Sequence, residues 1–92
     1  MTRDRHDVEK SLKAKGFRLE EGNHHFFQYY SEAGIKTSVY TKTSHGMKEI
    51  GVGLLARMAG DCRLSKKDFL RLVDCPLSRE AYEALLTEGG HL

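Results

Sequence analysis

A chain of 92 residues that is 39% hydrophobic and 30% charged reads as an ordinary globular protein, with room for one domain and a modest core. No apolar run approaches the ~18–20 residues of a membrane span. The opening Met1-Thr2-Arg3-Asp4-Arg5-His6 has no apolar segment behind it, so it is not a signal peptide and a cytoplasmic protein is expected. The net charge of +2 is too small to announce nucleic acid, but it is unevenly spread. Between Gly34 and Lys67 seven cations (Lys36, Lys42, Lys48, Arg57, Arg63, Lys66, Lys67) face two acids (Glu49, Asp61). From Leu72 onward one cation, Arg79, faces four acids, Asp74, Glu80, Glu83 and Glu88. A basic middle of this kind can neutralise phosphates, and it can equally be a solvated mixed surface.

In chain order, Asp4 to Lys15 reads as a short helix with Val8 and Leu12 on one side. Gly16 stands where a left-handed cap would end it, and Phe17 where the apolar contact of that cap falls on Leu12. Phe17-Arg18-Leu19-Glu20 alternates and predicts a first strand. Glu21-Gly22-Asn23 is turn chemistry, leading into an aromatic second strand, His24–Tyr30. Side chains alternate along a strand, so His24, Phe26, Gln28 and Tyr30 share one face and His25, Phe27 and Tyr29 the other. One of these faces must cover the core.

After the turn Ser31-Glu32-Ala33-Gly34, the third strand Ile35–Thr41 places Ile35, Thr37 and Val39 toward the core. Lys36, Ser38, Tyr40 and Lys42 then face solvent or a ligand. Ser44-His45-Gly46-Met47 is loop. Ile50, Leu54 and Met58, with Leu55 and Ala59 beside them, predict an amphipathic helix weakened by Gly51 and Gly53 and stopped by Gly60. Two further helices start at Ser65 and Ser78, with Leu64/Phe69 and Leu77/Tyr82 as hydrophobic staples. Phe69, Leu72, Val73, Tyr82, Leu85 and Leu86 are expected in the core. The expected class is α+β: α-β-β-β-α, a three-stranded antiparallel sheet covered by helices on one face, with two appended C-terminal helices.

The sequence contains no phosphate-binding loop, dinucleotide fingerprint, H-E-x-x-H or C-x-x-C pair. Cys62 and Cys75 read as buried free thiols. A metal site from His24, His25, His45, Cys62 and Cys75 is conceivable. Adjacent strand histidines point opposite ways, however, so His24 and His25 could not easily share an ion, and no metal or other cofactor is expected. Imidazole can take a proton from a ribose 2′-hydroxyl and return one to a leaving oxygen. His24, His45, Lys48 and Tyr40 could supply the parts of such a reaction on RNA without a metal; a histidine beside a turn can equally be an exposed polar residue.

The ordered set Lys13-Ala14-Lys15-Gly16-Phe17, Gly22-Asn23-His24-His25, then His45-Gly46 with Lys48-Glu49-Ile50 resembles the HicA toxins of bacterial type II toxin–antitoxin systems. The likeness covers roughly the first sixty residues. Leu64–Leu92 has no counterpart in compact members, Asn23 stands where Ser is common, and Ser44 where Pro often precedes the later histidine. The resemblance implies a double-stranded-RNA-binding-like fold, with residues 1–60 as the core and 61–92 as a helical extension of a single domain. It also implies metal-independent cleavage of mRNA (an mRNA interferase) and neutralisation by a HicB-like antitoxin. The catalytic histidine of the family carries over to His24, with His25 as the register alternative and His45 as a recurrent second histidine. Lys36, Tyr40, Lys42 and Lys48 are the RNA-binding candidates. The extra helices could mask the site, form a homodimer or meet the antitoxin. A non-catalytic RNA- or protein-binding module on the same fold is the alternative.

Overall fold

The computed structural model describes residues 2–21, 25–43, 46–74 and 76–92. Gly22–His24, Ser44, His45 and Cys75, on which several of the sequence expectations fall, lie outside the described residues.

Asp4 opens the first helix, α1 (Arg5–Ala14), by accepting a hydrogen bond from the Asp7 N–H, a side-chain N-cap. Gly16 closes it at φ +104°, with its N–H on the Lys13 carbonyl. Two requirements meet at this glycine. The backbone is left-handed, and a β-carbon there would stand 2.7 Å from Arg79 Nε and 2.9 Å from the Tyr29 ring.

The chain then makes the expected meander of β2 (Phe17–Glu21), β3 (His25–Tyr30) and β4 (Lys36–Thr43), antiparallel in the order β2-β3-β4. Phe27 and Tyr29 lie on the core side, so His25 shares the helix-packed face and Phe26, Gln28 and Tyr30 the open one. The β3–β4 register jumps, with Gln28 opposite Tyr40 but Tyr30 opposite Lys36. Gln28 answers that irregularity. Its side-chain amide donates to the Thr37 and Val39 carbonyls at 2.6 and 3.0 Å, which explains a glutamine that is almost fully buried.

Expectations at Ile35, at Ile50 and at the ends of the following helix are corrected. Ile35 precedes β4 and is 66% exposed, because the turn closed by Ser31 N–H on the Ile35 carbonyl holds it outside the sheet. Ile50 is not helical. Glu49–Ile50 forms β5, which pairs antiparallel with β1 (Arg3–Asp4) in a two-stranded ribbon with no periodic signature in the sequence. Helix α2 (Val52–Asp61) therefore starts after Gly51 and runs one residue past Gly60.

Helices α3 (Lys66–Val73) and α4 (Arg79–Glu88) begin where expected, with Ser65 and Ser78 accepting from the Asp68 and Ala81 N–H groups. Phe69, Leu72, Val73, Tyr82 and Leu86 from these helices join the same buried cluster as Val8, Leu12, Phe17, Phe27, Tyr29, Leu55 and Met58. Leu85 does not; at 37% exposure it lies outside the buried stripe of α4. The arrangement is thus mixed α+β, with four helices and a three-stranded sheet among the described residues.

Candidate functional site

Four polar side chains converge where β3 begins. Positions 5, 8, 9 and 12 follow a helical stripe, and on α1 that stripe reads Arg5, Val8, Glu9, Leu12, all buried. Two charges are thereby carried into the core side of the sheet. They meet His25 and Thr43, which are opposite one another across β3 and β4.

Glu9 Oε2 accepts from Thr43 Oγ1 at 2.6 Å and lies 2.9 Å from His25 Nδ1. Arg5 Nη1 donates to both Glu9 oxygens, at 3.0 and 3.1 Å, and stands 3.2 Å from the same His25 nitrogen. Arg5 Nε donates to the Met47 carbonyl at 2.6 Å, and the Arg5 N–H to the Lys48 carbonyl at 2.8 Å. The segment carrying Lys48 is therefore pinned to the start of α1. Burial alone would raise the Glu9 pKa. Hydrogen bonds from Thr43, His25 and Arg5, with the Arg5 charge, outweigh it and hold the carboxyl below its ordinary range.

This geometry gives His25 a partner in either protonation state of Nδ1. Protonated, Nδ1 donates to Glu9; unprotonated, it accepts from Arg5. A carboxylate at 2.9 Å fixes the orientation of the ring, the second half of a base–orienter pair. The His25 side chain is tethered by Glu9 and remains 17% exposed.

The RNA-binding candidates divide between two places. Lys36, Tyr40 and Lys42 lie on the open sheet face, opposite His25, together with Arg18, Phe26 and Tyr30. Phe26 and Tyr40 stack with centroids 4.7 Å apart, Tyr40 being 47% exposed, and the Arg18 guanidinium sits 4.0 Å above the Tyr30 ring. Lys48 is exposed, and its backbone carbonyl accepts the Arg5 N–H. His24 and His45 lie outside the described residues.

Glu9, Arg5 and Thr43 were not singled out from the sequence. The signal that could have found the first two is a pair of charges, four apart, occupying the apolar stripe of α1. Cys62 is buried, and burial pushes its thiol pKa far up, which suits a packed thiol and not a nucleophile. Among the described residues no cluster of three or more metal-binding side chains occurs, and no helix is long and apolar enough to cross a membrane. Comparison of the chain with family models, with curated proteins and with solved structures finds no match.

Proposed function

We propose that the chain is a HicA-like, metal-independent ribonuclease acting on mRNA, with His25 transferring the proton. The observation that carries this reading is the His25–Glu9 pair at 2.9 Å, braced by Arg5 and Thr43. The carboxylate orients the ring through Nδ1, and on this proposal Nε2 is the nitrogen that exchanges the proton. That nitrogen takes the proton from a ribose 2′-hydroxyl, the freed oxygen attacks the adjacent phosphorus, and the 5′-oxygen leaves with a proton supplied in turn. Lys48, in the segment held by Arg5, is the cation proposed for the phosphate charge. Apart from the β1–β5 ribbon, the order α1-β2-β3-β4-α2 is compatible with a double-stranded-RNA-binding-like fold, and a HicB-like antitoxin would neutralise the enzyme by covering the His25 end of the sheet. The catalytic role is proposed for His25, the register alternative to His24, on the strength of its orienting carboxylate.

A second reading, an RNA-binding module without catalysis, is favoured by one observation. The stacked Phe26–Tyr40 pair and the cations Arg18, Lys36 and Lys42 occupy the face opposite His25. An exposed Tyr40 ring backed by a half-buried Phe26 and flanked by cations suits unstacked bases and their phosphates.

Single-turnover cleavage of a labelled RNA by wild type, His25→Ala and His24→Ala separates the readings. On the proposal, His25→Ala loses about 10²–10⁴-fold in rate, the usual share of general acid–base catalysis, while His24→Ala stays within a few-fold. Loss confined to His24→Ala would move catalysis to the other register. RNA bound but uncut by wild type would leave the binding module.

A further inference from the structure

At the far end of β3 from His25, a polar cavity of about 350 Å³ opens where α1, the β3–β4 turn and the start of α4 meet. It is lined by three cations, Lys13, Arg18 and Arg79, with Tyr30, and by one carboxylate residue, Glu32. Among the described residues none of the three cations forms an ion pair. Arg79 is held by backbone instead. Its Nη2 donates to the Tyr30 and Ser31 carbonyls at 3.0 and 3.2 Å, and its Nε is buried without a hydrogen-bond partner. Neutral carbonyls position the guanidinium. The carboxylates nearby, Glu32 in the lining and Glu83 on the Tyr29 hydroxyl, form no ion pair with it among the described residues. Three cations therefore stand against one carboxylate in the cavity wall. Gly16 makes that placement possible, since any β-carbon there would collide with Arg79 Nε.

The geometry points to this cavity as a phosphate-binding site for an RNA strand, with Arg18 and Tyr30 offering a stacking surface at its mouth. The assignment rests on the ribonuclease or RNA-binding reading and extends it. The cavity volume falls within the range of sites for small ligands. Five residue steps along β3 separate His25 from Tyr30, or about 17 Å. A strand held here therefore engages the protein well beyond the scissile bond. Arg18 and Tyr30 also belong to the open face, so the cavity continues the aromatic and basic surface of Phe26, Tyr40 and Lys42. Lys13 and Arg18 are exposed and carry no core packing, which makes them the residues to change.

The test is an amide chemical-shift titration of the full chain with a 2′-O-methyl oligoribonucleotide, which lacks the attacking hydroxyl and stays intact. Inorganic phosphate and sodium chloride at matched ionic strength are separate arms. The oligonucleotide should saturably shift the amides of Gly16, Tyr30, Ser31 and Gly34. Lys13→Gln with Arg18→Gln should weaken that binding about tenfold or more, as expected for lost charge-assisted contacts. The same double variant should flatten the salt dependence of log K by about 0.7 for one phosphate released.

Unchanged affinity and salt slope in the double variant would overturn the site. Inorganic phosphate binding as tightly as the oligonucleotide would overturn the assignment to a strand. His25→Ala should leave these shifts intact. Cleavage of ordinary RNA with no response at the four amides sinks the cavity and spares the ribonuclease. A response at the four amides, abolished in the double variant, from a wild type that cuts no RNA does the reverse.

Discussion

At one end of β3, His25 enters the helix-packed side of the sheet among Glu9, Arg5 and Thr43. At the other end, Tyr29 enters the same side among rings, 5.2 Å from Phe17 and 5.3 Å from Tyr82, with Phe17 and Tyr82 at 5.9 Å. The aromatic end stabilises by area removed from water and by ring packing. The polar end must first desolvate two charges, and its hydrogen bonds offset that cost without a large surplus. What the polar end supplies is geometry, because each oxygen of Glu9 has a fixed donor and His25 can occupy only the remaining direction. Stability and site therefore lie at opposite ends of one strand. This separation is what the following changes test.

The largest effect belongs to the aromatic end. Phe17→Ala removes a fully buried ring from the contact with Tyr29 and Tyr82 and should cost about 3–5 kcal/mol in urea unfolding. A loss near zero would mean that the ring cluster does not hold the fold. Next is Glu9→Gln, which strands the Arg5 charge in a buried setting and should cost about 3 kcal/mol, while paired Glu9→Met and Arg5→Met should recover most of it. A double variant as unstable as the single one would contradict the view that the charges are there for geometry. The acid limb follows from the Glu9 pKa, lowered from 4.5. As pH falls below that value the unfolded chain takes up the proton first, so this stabilisation is complete above it and is lost through the lower folded value. Glu9→Gln should remove that part of the pH dependence, which unfolding measured across the acid range will show.

The elements that could be read from the chain are those whose signals are local. The Gly16 cap, the alternation of Phe17–Glu20 and of Thr37–Val39, and the Ser65 and Ser78 caps each act within a few residues, and each appears where expected. Ile50 misled because Ile50, Leu54 and Met58 fit a helical stripe, yet Ile50 is buried by pairing with Arg3 across 47 residues of chain. No window of sequence contains that pairing. The site divides in the same way. His25 was visible as a residue type near a turn. Its partners Glu9 and Thr43 come from α1 and β4, and only the tertiary fold sets them beside it. Arg5 and Glu9 also look like an ordinary surface pair four apart, which is the common meaning of that spacing.

The smallest change sharpens the comparison at Tyr29 itself, where the aromatic end keeps one polar link. Tyr29 donates to Glu83 Oε1 at 2.6 Å, and the same oxygen accepts the Glu32 N–H at 2.9 Å, tying α4 to the β3–β4 turn. Tyr29→Phe keeps the ring and deletes the link, so about 1 kcal/mol should be lost at neutral pH, less than for Phe17→Ala or Glu9→Gln. Burial first, and then the Glu83 carboxylate, push the Tyr29 pKa from 10.0 up to about 12. The unfolded tyrosine therefore ionises first as pH rises. The wild type should lose stability from the ordinary tyrosine range upward, until the folded group also titrates, and Tyr29→Phe should lack this component. If both proteins weaken in parallel across that range, the alkaline sensitivity comes from elsewhere and Tyr29 contributes to the fold through its ring alone. If they diverge, the Tyr29–Glu83 bond is the polar counterpart of the His25–Glu9 pair, used to fasten a helix and not to orient an imidazole.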